Sequence, residues 1–145
     1  MFINAPREKV WNAMLSDVTY REWTAPFNPA GSGSRFEGSW EKGSKIKFLG
    51  VNEETGKEEG GVYAEIADNR LYEFVSIKHL GEVKDGVEAA WPDPEQAGFE
   101  NYTLTEKDGG TEVSVGLKNI PDDWVEMMND SWPKALEKLK EIAER

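Results

Sequence analysis

Toward its C-terminus the chain carries an apolar stripe that dictates what the rest of the molecule must provide. Val125, Met128, Trp132, Ala135, Leu136, Leu139 and Ile142 recur at spacings of three and four, while Glu126, Lys134, Glu137, Lys138, Glu141 and Glu144 occupy the other side. A helix patterned this way must bury one face. Pro121-Asp122-Asp123 marks its start, with acids where the helix dipole favours them. Pro133 removes the hydrogen bond to the carbonyl of Asn129, so a kink or a division is expected there.

Upstream, the runs Arg35 to Trp40, Lys45 to Val51, Gly61 to Ala67, Leu71 to Leu80, Phe99 to Glu106 and Thr111 to Leu117 read as strands. Gly43-Ser44, Glu53 to Lys57, Asp68-Asn69 and Lys107 to Gly110 are the turns between them. Connections this short demand antiparallel pairing, because parallel neighbours need crossovers of about a dozen residues or more. Ahead of the strands, Phe2-Ile3-Asn4 makes only a stub of strand. Pro6 then opens a helix with Val10, Trp11, Met14 and Leu15 on one face. Asp17 caps a second short helix through Tyr20 and Trp23, which Pro26 and Pro29 stop, and Gly31 to Ser34 turns the chain into the first full strand. The longest irregular stretch, Glu82 to Gly98, holds Trp91-Pro92-Asp93-Pro94. It reads as either a lid, with Trp91 over an opening, or a long hairpin connection. No repeat or low-complexity linker interrupts residues 1–145, so a single domain is expected.

Charge and composition narrow the partners. A formal net charge of −11 repels phosphate backbones and anionic lipid heads, which argues against nucleic acid and membrane insertion. No apolar run approaches the ~20 residues of a spanning helix. No basic segment followed by an apolar stretch marks a secretory signal, so a cytoplasmic location is expected. Against the polar surface stand six tryptophans, six phenylalanines and four tyrosines, residues that fill large interiors and also line small-molecule pockets.

Reactive constellations are sparse. Cysteine is absent and His79 is the sole histidine, which removes disulfides, thiolate nucleophiles and cysteine- or histidine-rich metal sites. No nucleophile elbow surrounds Ser76 or Ser114. Alternation groups His79 with Val75 and Ile77 against Tyr72, Phe74 and Ser76, and leaves open which set faces inward. A lone histidine on a strand is expected to be packed or exposed rather than catalytic, and not essential to any activity. Glu65, Glu73, Glu100 and Glu112 lie in strands, where alternation is expected to send them to solvent. Gly31-Ser32-Gly33 leads into a strand without a following Gly-Lys, so it is no phosphate loop. Glu53, Glu54, Glu58 and Glu59 lack the ligand spacing of a calcium loop. No catalytic residue, metal ligand or cofactor is assigned.

Taken in order, Asn4-Ala5-Pro6 through Val10-Trp11, Phe36 through Trp40 with Gly43-Ser44, Gly61-Val62 with Glu65-Ile66, and Trp132-Pro133 with Ala135-Leu136 and Leu139 resemble the SRPBCC superfamily of START-like, helix-grip proteins. The branch they resemble is the one named for homology to the activator of the Hsp90 ATPase. The resemblance implies an α+β, β-α-α-β6-α fold: a curved antiparallel sheet gripping a long C-terminal helix, with an apolar cavity between them. The N-terminus departs from the pattern, since only Met1 to Asn4 precede Ala5-Pro6 where family members carry a full first strand.

Three functions are carried forward. The leading one is a non-enzymatic protein binding a hydrophobic small molecule, with Trp23, Phe27, Phe36, Trp40, Phe48, Tyr72, Phe74, Tyr102, Met128, Trp132 and Leu136 as the candidate lining. The same side chains would also serve as plain core. The second is a cyclase- or aromatase-type enzyme, which needs polar groups converging inside, such as a buried His79 beside Tyr102 or Glu73. The third is a chaperone-interaction module, a protein partner implied by family analogy alone.

Overall fold

The computed structural model describes residues 1–27, 35–51, 58–84, 87–90, 98–119 and 122–145. Its strands are β1 (Phe2–Ile3), β2 (Arg35–Gly38), β3 (Lys45–Val51), β4 (Glu58–Arg70), β5 (Phe74–Lys84), β6 (Val87–Ala90), β7 (Phe99–Lys107) and β8 (Gly110–Lys118). They form one antiparallel sheet in the order β1-β8-β7-β5-β4-β3-β2, with β6 added to the far end of β5. Helices α1 (Arg7–Leu15) and α2 (Asp17–Trp23) and a 3-10 turn at Ala25–Phe27 lie between β1 and β2, and α3 (Asp122–Ala143) closes the chain. This is the α+β helix-grip arrangement that the family resemblance implies, with seven strands rather than six between the paired helices and α3.

Local chemistry explains the joints. The β7–β8 hairpin closes on Asp108-Gly109, whose φ values of 48° and 79° are the left-handed pair a tight two-residue turn requires. The stub β1 pairs Phe2 with Glu112 and Ile3 with Thr111, and the buried Thr111 hydroxyl donates to the Ala5 carbonyl at 2.8 Å. That bond seats the first helix against the sheet edge.

Core side chains mark the face that the helices cover. Ile3, Ile46, Ala64, Ile66, Val75, Ile77, Tyr102, Leu104 and Val113 from the strands form one cluster with Val10, Trp11, Met14, Trp23, Trp132, Ala135, Leu139 and Ile142 from the helices. The α3 stripe is thus buried from Trp132 onward, while Glu137 and Lys138 stay in solvent.

Several expectations need correction. The strand expected over Leu71 to Leu80 begins at Phe74 instead, and the turn expected at Asp68-Asn69 falls at Leu71 to Glu73, with β4 running on to Arg70. Tyr72 therefore sits in a turn at φ 64°, outside the alternation that grouped it with Phe74. Within the stretch read as irregular, β6 pairs with β5; Val87-Glu88-Ala89-Ala90 is exposed throughout, so no apolar alternation announced it. Glu88 instead ties β6 across the sheet through ion pairs to Lys45 and Lys47. α3 runs through Pro133 undivided. The turns expected at Gly31 to Ser34 and Glu53 to Lys57, and the Trp91 segment, lie outside the described residues.

Trp132 is buried between rings from α2 and β7, so Trp132→Ala is expected to cost about 3–5 kcal/mol in chemical denaturation. A loss under about 1 kcal/mol with two-state unfolding would mean the ring is a loose wall rather than core.

Candidate functional site

Seven aromatic side chains from five places in the chain meet on the face between sheet and helices. Tyr20 is the hub: its ring lies 5.3 Å from Phe36, 5.4 Å from Trp23, 6.0 Å from Phe48 and 6.2 Å from Trp40, centroid to centroid. Trp23 extends the group to Trp132 at 5.9 Å and Tyr102 at 6.5 Å, and those two rings stand 5.8 Å apart. The Trp23 indole N–H donates to the Met14 carbonyl at 3.1 Å, which holds α2 against α1 and aims the ring inward.

A polar row runs along the same face. In register, Val75 pairs with Tyr102 and Ile77 with Glu100, so Glu100 shares the covered face with those core residues. His79 pairs with Ala64, another core residue, whereas Tyr63 pairs with Gly81. His79 thus faces inward by plain alternation with Val75 and Ile77, and Leu80 is an extra residue in β5, a bulge that shifts the register of the strand beyond it. Nε2 of His79 lies 3.1 Å from Oε1 of Glu100, and the Tyr102 hydroxyl donates to Oε2 at 2.7 Å.

Burial and charge set the protonation of this row. Burial is the largest influence on Glu100 and pushes its carboxyl up. The His79 hydrogen bond and charge, with the Tyr102 hydroxyl, outweigh it and leave the group below its ordinary value. Burial, then the Glu100 charge, holds the phenols of Tyr20 and Tyr102 well above their ordinary range. At neutral pH the row is a carboxylate accepting from a phenol and an imidazole N–H. Nδ1 of His79 and Nε1 of Trp40 are buried with no hydrogen-bond partner among the described residues.

The candidate lining divides accordingly. Trp23, Phe36, Trp40, Phe48, Tyr102 and Trp132 come together, with Met128 and Leu136 half-buried against the same cluster. Tyr72 is half-buried against the same cluster too, at its α1 side, edge-on to Trp11 at 6.3 Å and away from the Tyr20 rings. Phe74 is on the opposite face of β5 from Val75, beneath the Arg70 guanidinium at 5.0 Å, because alternation puts it outward once Val75 is in. Phe27 ends the 3-10 turn, and its side chain lies outside the description.

One expectation about polar residues is overturned. Glu100 was expected in solvent and is buried, with 15% of its side chain exposed, because it shares its face with Tyr102 two residues on. That spacing was the available signal. His79 is buried beside it, linked to Tyr102 through the carboxylate, while Glu73 is exposed and paired with Arg7 at 3.6 Å. Tyr20, absent from the expected lining, is its centre; its position three residues before Trp23 on α2 was the clue. Among the described residues no cluster of three potential metal ligands occurs, and no helix is long and apolar enough to cross a membrane.

A helix gripped by a bent antiparallel sheet, with its interior faced by aromatic rings, defines a START-like architecture. The chain belongs to the family described as Activator of Hsp90 ATPase homolog 1-like protein, whose model matches residues 4–144. No curated protein matches it. Among solved structures it is similar to protein CV1439 from Chromobacterium violaceum, at 18% identity and a TM-score of 0.70 over 100% of this chain and 94% of that one. Protein NE0264 from Nitrosomonas europaea gives 14% identity and a TM-score of 0.76, covering 99% and 90%. CalU16 from Micromonospora echinospora gives 14% and 0.66, covering 99% and 72%. At these identities the likeness speaks to fold alone.

Glu100 ties folding to pH with a definite sign. Its folded pKa is depressed, so its stabilisation is present above the unfolded value of ~4.3 and fades as pH falls through the lower folded value. Glu100→Gln is expected to cost about 1.5–3 kcal/mol at pH 7, the range for hydrogen bonds to a charged group. The gap between wild type and variant should narrow on acidification below about pH 4 when both are unfolded by urea. A gap that stays constant would show that the carboxylate charge contributes nothing.

Proposed function

We propose that this protein binds a hydrophobic small molecule between its sheet and α3, in the cytoplasm. One observation carries the reading: rings from α2, β2, β3, β7 and α3 converge on one interior alongside a buried row of hydrogen-bonding groups. A plain core is served by aliphatic side chains, and a buried carboxylate weakens it unless paired and used. Apolar area taken from water there contributes ~25 cal/mol per Å². The aromatic edges, set mostly at steep angles to one another, also offer faces against which a flat ring can stack.

A second reading, a cyclase-type enzyme, is favoured by a single feature. His79 is buried and oriented by Glu100, the arrangement in which a carboxylate fixes an imidazole for proton transfer. Binding comes first in either case, since acid–base chemistry needs a bound substrate. The family's name supports a chaperone partner only by analogy. An exposed apolar patch would be needed, and Phe2, Val18, Leu71, Val87, Leu117 and Val125 lie on six separate segments.

Titration with an environment-sensitive apolar dye tests the proposal. Saturable binding to native protein, reversed by a non-fluorescent flat hydrocarbon and weakened several-fold, about 1 kcal/mol or more, by Trp132→Ala, is the expected outcome. Absence of saturable binding by the folded protein would contradict it.

A further inference from the structure

The buried row is incomplete on one side. A carboxylate can only accept, so the His79 nitrogen facing Glu100, Nε2, carries the hydrogen. In the neutral ring the other nitrogen, Nδ1, is then a bare lone pair. It is buried, within a residue only 6% exposed, and has no hydrogen-bond partner among the described residues. The Tyr102 hydroxyl is committed to Glu100, and a carboxylate has no hydrogen to donate, so neither satisfies it. A buried acceptor left open is costly, and the hydrogen-bonded row it belongs to runs through Glu100 to Tyr102, whose ring lies 6.5 Å from Trp23 and 5.8 Å from Trp132.

Charge narrows what would fill the gap. Glu100 places a fixed negative charge at the same spot, within a chain of net charge −11. A carboxylate ligand would be repelled and would bring another acceptor where a donor is needed. An aliphatic or unsubstituted aromatic ligand would leave the lone pair bare. We propose that Nδ1 of His79 is the polar anchor of the ligand site and selects an uncharged, flat, hydroxylated aromatic whose O–H donates to it. The inference rests on the binding function proposed above and assigns its ligand class.

Three probes of one shape separate the outcomes: 2-naphthol, naphthalene and 2-naphthoate, titrated into the full chain at a pH where the histidine nitrogen-15 resonances show a neutral ring. The expected order has 2-naphthol at least about tenfold tighter than naphthalene, with 2-naphthoate weakest. His79 is the sole histidine, so a sample with nitrogen-15 in its histidine ring reports one imidazole. On adding 2-naphthol the Nδ1 resonance should move toward that of a hydrogen-bonded acceptor while Nε2 stays protonated. His79→Phe should bring the 2-naphthol to naphthalene ratio to about one. Equal binding of 2-naphthol and naphthalene with Nδ1 unmoved would overturn the anchor and leave the binding function standing. Failure of all three probes to saturate would overturn both. If His79→Phe does not fold, the wild-type resonance decides.

Discussion

Trp132 of α3, wedged between Trp23 of α2 and Tyr102 of β7, is the contact on which the molecule turns. It joins three elements that are distant in sequence, and it can form only if the sheet bends enough to bring β7 under the helix. The remaining rings follow from that. Trp23 hands the group on to Tyr20, and Tyr20 meets Phe36, Phe48 and Trp40 from the far edge of the sheet. α3 therefore does more than cover apolar strands, since it completes a cluster of aromatic rings that spans the sheet from β7 to β2.

Set into this cluster is a charge. Moving a carboxylate out of water is expensive, and pairing repays the cost only when its oxygens are well bonded. Glu100 meets that condition with one bond to each oxygen, from His79 and from Tyr102. Replacing the group with apolar side chains of like volume would be an easier way to build a stable core. The row instead keeps an imidazole in one orientation with its second nitrogen open, an arrangement suited to meeting something that arrives from outside.

How much of this could be read in advance depended on whether one strand or two set a residue's position. The α3 stripe from Trp132 onward, the helix through Tyr20 and Trp23, and the strand Lys45 to Val51 follow from local periodicity and fall where it puts them, whereas Val125 at the start of the stripe is exposed. Tyr102 and Trp132 were legible as inward-facing rings for the same reason. Glu100 was not, because solvent preference was weighed above its shared phase with Tyr102. The side of His79 was tied by alternation to Val75 and Ile77, and which of the two sets faces the helices depended on how β5 sits between β4 and β7, which no single strand encodes. Phe74 points away from the helices because alternation sends it outward once Val75 is in, and Tyr72 reaches the core from a turn at positive φ rather than from the strand expected there. β6 had no alternation to betray it and is held by Glu88 to Lys45 and Lys47 instead.

The central claim is that the aromatic cluster exists to hold a small molecule rather than only to stabilise the fold. Native mass spectrometry of the protein purified from its own cells tests it most directly. The account predicts a species heavier than the 16.3 kDa chain by the mass of a small organic molecule, lost on denaturation and reduced by Trp132→Ala. A bare chain in every native preparation, unchanged when flat aromatic compounds are added in excess, would contradict it.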